Sequence, residues 1–278
     1  VPSGTTYSWD APTSSPSGVI TGGNSGTDET TITESELLNS TNSPAVLTYT
    51  VTPTTPDGCT GDPFTVSVTV NPLGQVDNPG DQEFCNNDNI SINFTTDNIG
   101  GDTTYSWTNT NSAIGLSNSG SGNINVTATN TTNDAITSTV TVTPSFEGCE
   151  GTPQTFTITV NPEPSIDNIE QEVCTGSGIS ITPTNGTIPS GTTYSWDAPT
   201  SSPSGVITGG NSGTDETTIN ESELLNSTNS PAVLTYSITP TTPDGCTGNP
   251  FTVSVTVNPL GQVDNPGDQE FCNNDNIS

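Results

Sequence analysis

Hydrophobic and polar positions alternate strictly along several short runs of this chain. Leu47, Tyr49 and Val51 alternate with Thr48, Thr50 and Thr52, and Phe64, Val66, Val68 and Val70 alternate with Thr65, Ser67 and Thr69. Successive side chains of a strand point to opposite faces, so a period of two predicts strands with one buried and one solvated face. The β-branched residues on both faces strengthen that reading. The two runs flank a loop, Pro56-Asp57-Gly58-Cys59-Thr60-Gly61-Asp62-Pro63, and together read as a hairpin. The stretch 48–72 returns almost unchanged at 235–259 and in a looser form at 138–162, each copy ending in Asn-Pro (Asn71-Pro72, Asn161-Pro162, Asn258-Pro259). The hairpin is therefore read as the closing element of three successive domains.

The repetition has two levels. Residues 2–91 and 189–278 align without a gap at an offset of 187, differing only at Thr33/Asn220, Thr50/Ser237, Val51/Ile238 and Asp62/Asn249. Inside this super-repeat sit two unlike units. Cys59, Cys149 and Cys246 mark one position of the unit, and the Tyr-Ser-Trp triplets at Tyr7, Tyr105 and Tyr194 mark another. The spacing of these landmarks is about the size of one β-sandwich domain. The expected domains are 1–72, lacking its first strands; 73–162, complete; 163–259, complete and a near-copy of the first; and 260–278, the opening of a further domain. Both termini are expected to fall inside domains of a longer array.

In the first unit, Tyr7 and Trp9 face one way with Ser8 between them, which predicts an inner strand. A short strand is expected at Val19-Ile20 and another over 30–33. One helical turn is expected over 34–39, because Ser35-Glu36-Leu37-Leu38 has fair helix propensity between turn residues. In the second unit strands are expected over 90–96, 104–108, 124–129, 136–143 and 155–160. The fold class is all-β, a tandem array of immunoglobulin-like sandwiches. Trp9, Trp107 and Trp196 are read as indoles buried between sheets.

Composition narrows the function. The 278 residues include 30 acidic ones and no Lys, Arg or His, for a formal net charge of -30. Phosphate is gripped mainly by Lys, Arg and backbone amides, so a nucleic-acid backbone or an anionic membrane surface is excluded as a partner. No His-based acid–base pair, Ser-His-Asp triad or Lys Schiff base can be assembled, and no enzyme is expected. A hydrophobic content of 27% with one-signed charge would suggest disorder, but the periodicity overrides it: a sandwich needs only its inward faces apolar. No apolar run approaches the ~20 residues of a membrane helix, so no membrane insertion is expected.

The motifs then converge on a family. Cys-x-Gly before a strand (Cys174-Thr175-Gly176), Thr-Tyr-Ser-Trp, Tyr-x-x-Thr-Pro, Gly-Cys-x-Gly and Val-x-Val-Asn-Pro together resemble the PKD-like repeats of giant secreted adhesins of gliding and biofilm-forming bacteria of the Bacteroidota type. The second unit departs from the pattern with Cys85-Asn86-Asn87. The resemblance implies export, a cell-surface location and a role in attachment or gliding motility. Asp102-Thr103-Thr104 also resembles the O-glycosylation sites of that bacterial group.

Three sets of residues are candidate sites. The six cysteines recur at fixed places, which suggests disulfides and an oxidising, extracellular setting. Pairing within domains gives Cys85–Cys149 and Cys174–Cys246, each worth about 4 kcal/mol on the chain-entropy estimate. It requires the first strand to run beside the last. Bridges between neighbouring domains and free thiols are the open alternatives. Asp77, Asp81 and Glu83 before the second unit, repeated as Asp264, Asp268 and Glu270, and Asp167, Glu170 and Glu172 before the third, are candidate calcium ligands, weighed against a solvated acidic linker. No other cofactor is expected. The Thr rows form a hydroxylated face that could meet a glycan. Asn39, Asn93 and Asn125 stand in Asn-x-Ser/Thr sites.

The expected function is that of a structural stalk or filament segment of a repetitive adhesin. Its partners would be neighbouring repeats, surface polysaccharide or other copies of the filament. The alternative is an array of carbohydrate-binding modules.

Overall fold

The structure is a computed structural model, and it describes residues 1–262 together with Gly267, Glu270 and Cys272. The expected opening strand of a further domain, and the candidate ligands Asp264 and Asp268, lie outside the described residues. The described residues are strands and loops, with one 3-10 turn at Ser112–Ile114 closed by Gly115 in the left-handed region. They fall into two compact units, one holding 1–130 with 135–161 and the other holding 131–134 with 162–278.

The second domain shows the complete pattern. Its larger sheet runs in the order Ser119–Ser121, Thr103–Asn109, Ile136–Phe146, Gln154–Asn161, Gln82–Cys85. All neighbours are antiparallel except the last pair, where Gln82–Cys85 lies parallel to the closing strand with Cys85 opposite Asn161. Asn89–Ile92 and Ile124–Thr127 pair as the facing sheet. The alternation read from the sequence becomes the core: Val140, Val142, Phe156, Ile158 and Val160 point inward against Ile90, Ile92 and Ile124, all nearly inaccessible. The intervening Thr139, Thr141 and Thr157 stay partly or fully exposed. The strand over Ile136–Phe146 is longer than expected, because Pro144 ends neither its pairing nor its burial pattern.

The third domain repeats the plan, with Ile169–Cys174 parallel to Phe251–Asn258 and a facing sheet of Ser177–Ile181, Ile219–Asn226 and Ile207–Thr208. In the first domain, Phe64–Val70 pairs with Ala45–Thr54 on one side and has no strand on its other side among the described residues. The cost shows in burial. Phe251 is 2% exposed, while its counterpart Phe64 is 45% exposed.

Two expectations about the first unit are corrected. The expected helical turn over 34–39 is extended chain, and its counterpart in the third domain belongs to the strand Ile219–Asn226. Its backbone groups bond to Ser177–Ile181, which a helical turn would leave unpaired. The short strand expected over 30–33 lies instead at Gly26–Glu29. There it pairs with Thr6–Trp9 through a bulge at which Asp28 takes a positive φ of 56°.

Within the first compact unit the junction of the first two domains is hydrogen-bonded. Ile99 N–H donates to the Asn42 carbonyl (2.9 Å), Gln75 Nε2 donates to Asn42 Oδ1 (2.9 Å), and Gly74 N–H donates to the Cys149 carbonyl (3.0 Å). Asn98 clamps the same segment, accepting from Gln75 N–H (2.7 Å) and donating to the Leu73 carbonyl (3.1 Å). A Cβ on Gly151 would meet the Gly74 carbonyl at 1.6 Å, so glycine is required for this approach. What reads in the sequence as a Pro/Gly-rich linker is a fitted joint.

Candidate functional site

The surface feature common to all three domains is a shallow groove on the outer face of the larger sheet. In the first domain Thr48, Thr50 and Thr52 form one wall, Ser8, Asp10 and Thr27 contribute the other side, and the volume is about 550 Å³. The near-copy in the third domain measures about 470 Å³, and the divergent second domain keeps a groove of about 290 Å³ beside Thr141 and Thr143. In the first and third domains the edge strand carries a bulge between the Tyr and Trp of the triplet, which the second lacks. The lining offers hydroxyls in all three domains and one carboxylate in the first and third, Asp10 and Asp197, and therefore hydrogen bonds to a neutral, hydroxyl-rich ligand.

Trp9, Trp107 and Trp196 line the groove of their own domains, but their indoles offer it little surface. Trp9, Trp107 and Trp196 are 7–8% exposed, and each Nε1 donates into the domain, to the carbonyls of Asn24 (2.9 Å), Gly122 (3.1 Å) and Asn211 (2.9 Å). Each ring is covered by the backbone of a glycine on the neighbouring strand. A Cβ on Gly26, Gly120 or Gly213 would lie 2.3, 2.1 or 2.4 Å from a ring carbon. Stacking of a sugar on tryptophan is thus closed off by these glycines.

A buried carboxylate went unrecognised in the sequence. Glu221 is 4% exposed, and its Oε1 and Oε2 accept from Asn211 N–H (2.8 Å), Asn211 Nδ2 (2.8 Å) and Tyr236 Oη (3.1 Å). In the first domain Glu34 makes the same bonds to Asn24 and Tyr49, but more openly. Burial raises the Glu34 carboxyl, and the donors on Asn24 and Tyr49 outweigh it and hold the group below its ordinary value. Burial, with the adjacent Glu34, pushes the Tyr49 phenol up to about 12. Burial likewise raises Tyr236, reinforced by the charge of Glu221. The signal in the sequence was the Asn–Glu–Tyr set recurring at the 187 offset.

The calcium candidates are not brought together: no group of three or more Cys, Asp and Glu placed to hold a metal ion occurs among the described residues. Asp77 accepts from Thr95 Oγ1 (2.6 Å), Asp81 from Thr157 N–H (2.8 Å) and Glu83 from Asn161 Nδ2 (2.6 Å). The bond from Thr157 holds Asp81 below its ordinary value. Glu170 and Glu172 stand on the exposed face of the strand Ile169–Cys174, and Asp167 precedes it, exposed. The Thr103 hydroxyl of the glycosylation-like motif is buried, not presented. Asn39 is occupied, donating to Ser43 and Val70 carbonyls (2.8 and 2.7 Å).

The expected disulfides Cys85–Cys149 and Cys174–Cys246 are also corrected. Cys85 and Cys246 are disulfide-bonded, but Cys149 and Cys174 are free thiols. The first strand does run beside the last, as such a pair requires, but parallel to it. That places Cys85 at the far end of the domain from Cys149, and Cys174 at the far end from Cys246.

Fold and sites together define a tandem array of immunoglobulin-like β-sandwich domains with a polar outer face. Residues 1–74, 82–164 and 171–261 each match the PKD-like domain family, and the chain belongs to it. No curated protein matches the chain. Among solved structures it is similar to the FN1-FN3 domains of chicken CNTN1, at 12% identity over 91% of this chain and 88% of that one, with a TM-score of 0.33. It is also similar to the Bacteroides ovatus mixed-linkage glucan utilization protein SGBP-B in complex with a heptasaccharide (15% identity, 67% and 48% covered, TM-score 0.23). The fibronectin(III)-like modules of Clostridium thermocellum CbhA are a third such structure (12%, 69% and 99%, TM-score 0.25). No helix among the described residues is long and apolar enough to cross a membrane.

Proposed function

We propose that this chain is a spacer segment of an extracellular, surface-exposed repeat protein, a stalk or filament that carries an adhesive function elsewhere in its parent molecule. The observation that carries the reading is the fitted joint at Gly74, Gln75 and Asn98, where hydrogen bonds and close backbone contact replace a free linker. A spacer needs reach and defined joints, and a near-identical super-repeat supplies length by duplication. The absence of Lys and Arg supports the surface role, since it removes every trypsin site and keeps the segment soluble by charge. The function is mechanical rather than enzymatic.

The repeated hydroxyl-lined groove favours a second reading, an array of carbohydrate-binding modules. Affinity electrophoresis of the chain in gels containing mixed-linkage glucan, chitin or xylan separates the two. The spacer reading expects unchanged migration. Retardation that Thr50→Ala together with Ser237→Ala abolishes would transfer the function to the groove.

A further inference from the structure

The first and third domains place the same residues in two different environments. The strand Phe64–Val70 is identical in sequence to residues 251–257, and each pairs with the long strand before it. In the third domain Ile169–Cys174 lies parallel along the other side of that strand, and Ser177–Ile181 pairs with Ile219–Asn226 in the facing sheet. In the first domain no strand among the described residues takes either place. Burial differs at the positions this strand–turn–strand segment covers. Val253, Val255, Val257, Ile219 and Leu224 are inaccessible, whereas Val66, Val68, Val70, Ile32 and Leu37 are half-buried. Away from the segment burial is the same: Trp9 and Trp196 are both 8% exposed, and Ala45 and Ala232 both 1%. The backbone is matched as well. Thr252 N–H turns away from the preceding strand and donates to Asn168 Oδ1 (2.8 Å). Directions alternate along a strand, so Ser254 N–H faces the parallel strand and its counterpart, Ser67 N–H, faces the open edge. Phe64–Val70 also has no charge, no proline and no bulge, the devices that blunt an exposed edge.

We propose that the first domain is a binding site for an extended polypeptide segment. It takes up, from a separate chain, a strand–turn–strand of the kind that residues 169–181 form, with the first strand parallel to Phe64–Val70 and the second against 32–39. The ligand is a peptide with apolar residues where Ile169, Val173, Ile179 and Ile181 stand, and with glycine where Gly178 stands. A Cβ on Gly178 would lie 2.4 Å from the Glu221 carbonyl, and the Glu34 carbonyl is its counterpart in the first domain. The turn is recognised through main chain: Thr175 N–H and Gly176 N–H donate to the Asn258 and Leu224 carbonyls (2.8 Å each), for which the first domain offers Asn71 and Leu37. Main-chain pairing supplies the affinity and the alternate side chains supply the selectivity. This goes beyond a spacer role, since the domain captures another polypeptide by completing its own sandwich.

The test is fluorescence anisotropy of a labelled synthetic peptide of residues 167–182, carrying Cys174→Ser, titrated with the full chain at about 0.15 M salt to screen like charges. Hydrogen-exchange mass spectrometry then locates the site. The expected result is saturable binding that slows exchange of the Phe64–Val70 amides by about tenfold or more. Peptic fragments that include Asp62 report it, and those with Asn249 in its place stay unchanged. A Gly178→Leu peptide is more apolar but cannot approach the backbone, so it should not bind. Nor should the original peptide bind the chain variant Ser67→Pro, which removes an outward N–H and leaves the inner ladder bonded. Exchange over Ala45–Thr54 shows whether that variant stays folded, and if it does not, the Gly178→Leu comparison decides alone. Absence of binding, equal binding of the Gly178→Leu peptide, or slowing confined to the third domain overturns the proposal. So does a concentration-dependent dimer that the peptide fails to dissociate, which would put a second copy on the edge.

Discussion

Removing one carboxylate should unfasten the third domain and barely affect the first, although the two are near-copies. Glu221 is the shared acceptor for Asn211 N–H, Asn211 Nδ2 and the phenol of Tyr236, which is 0% exposed. In Glu221→Ala the Tyr236 hydroxyl loses its acceptor where water cannot replace it, and the two Asn211 donors are only partly reachable. A buried donor left unsatisfied costs about 1–3 kcal/mol, and bonds to a charged acceptor stand at the upper end. Relief of the buried charge offsets part of this, leaving about 3 kcal/mol. In the first domain Glu34 makes the same bonds but is itself partly exposed and lacks the covering strand that Ser177–Ile181 provides over Glu221, so water enters the space the truncated side chain leaves beside the buried Tyr49 phenol and Glu34→Ala costs less, about 1 kcal/mol. Hydrogen-exchange mass spectrometry on the full chain reads each domain separately, since Thr50/Ser237 and Val51/Ile238 distinguish the peptides of Ala45–Thr54 and Ala232–Thr241. The slowest amides of Ala232–Thr241 should exchange roughly a hundredfold faster in Glu221→Ala, at about 1.4 kcal/mol per tenfold. Equal acceleration in the two single variants, or none in Glu221→Ala, would refute the reasoning.

Gly120→Ala and Gly213→Ala drive a methyl into the Trp107 and Trp196 rings and should each cost about 1–3 kcal/mol, read as a lower midpoint in urea. Asn226→Ala deletes donors to the Ser230 and Val257 carbonyls (both 2.8 Å) and should cost about 2 kcal/mol, whereas Asn93→Ala on an exposed position should leave the midpoint unchanged. Glu34 and Asp81 titrate below their ordinary values when folded, so their stabilisation is present above about pH 4.5 and is lost as pH falls through the folded values; a fall in Tm between pH 5 and pH 3 checks this. The phenol of Tyr49 is raised, so its contribution is intact below pH 10 and disappears as pH climbs toward 12. Millimolar calcium should leave Tm unchanged relative to EDTA, because the joint carboxylates already have donors in their own domain.

The sandwich was legible in the sequence because its core strands keep strict alternation: Leu47, Tyr49 and Val51, and Phe156, Ile158 and Val160, all face inward where the period of two puts them. The segment over 34–39 was misread for the same physical reason in reverse. Its counterpart over Ile219–Asn226 buries Ile219, Glu221, Leu224 and Asn226, a spacing of two, three and two, with the register against Ser177–Ile181 slipping between Ser177 and Ile179. One irregularity breaks the period, and an inward glutamate hides the rest, so local helix propensity prevails in the reading. The disulfides were illegible for a topological reason. Whether Cys85 meets Cys149 depends on the direction of the outer strand, and a parallel and an antiparallel edge strand present the same alternation. The fitted joint was hidden because Gly74 and Gly151 read as flexible until Gly151 is found against the Gly74 backbone and Gly74 against the backbone of Pro144 and Ser145.

The absence of cations explains more of the composition than solubility does. In an ordinary domain carboxylates are offset by Lys and Arg, but here every interaction between charged side chains is repulsive. Buried and joint carboxylates must then be matched by neutral donors, and the donors used are amides and hydroxyls: Asn24 and Tyr49 for Glu34, Thr95 for Asp77, Asn161 for Glu83. The abundance of Asn and Thr is thus a structural consequence of a cation-free chain as much as a β-strand preference. The same logic fixes the sign of the salt response. Salt commonly weakens a protein's attractive surface pairs, but with none to weaken, screening over a Debye length of about 10 Å at 0.1 M can act only on repulsion. Sodium chloride should therefore raise Tm steadily from low ionic strength at pH 7, and a fall over that range would show an attractive charge pair that this residue inventory does not contain.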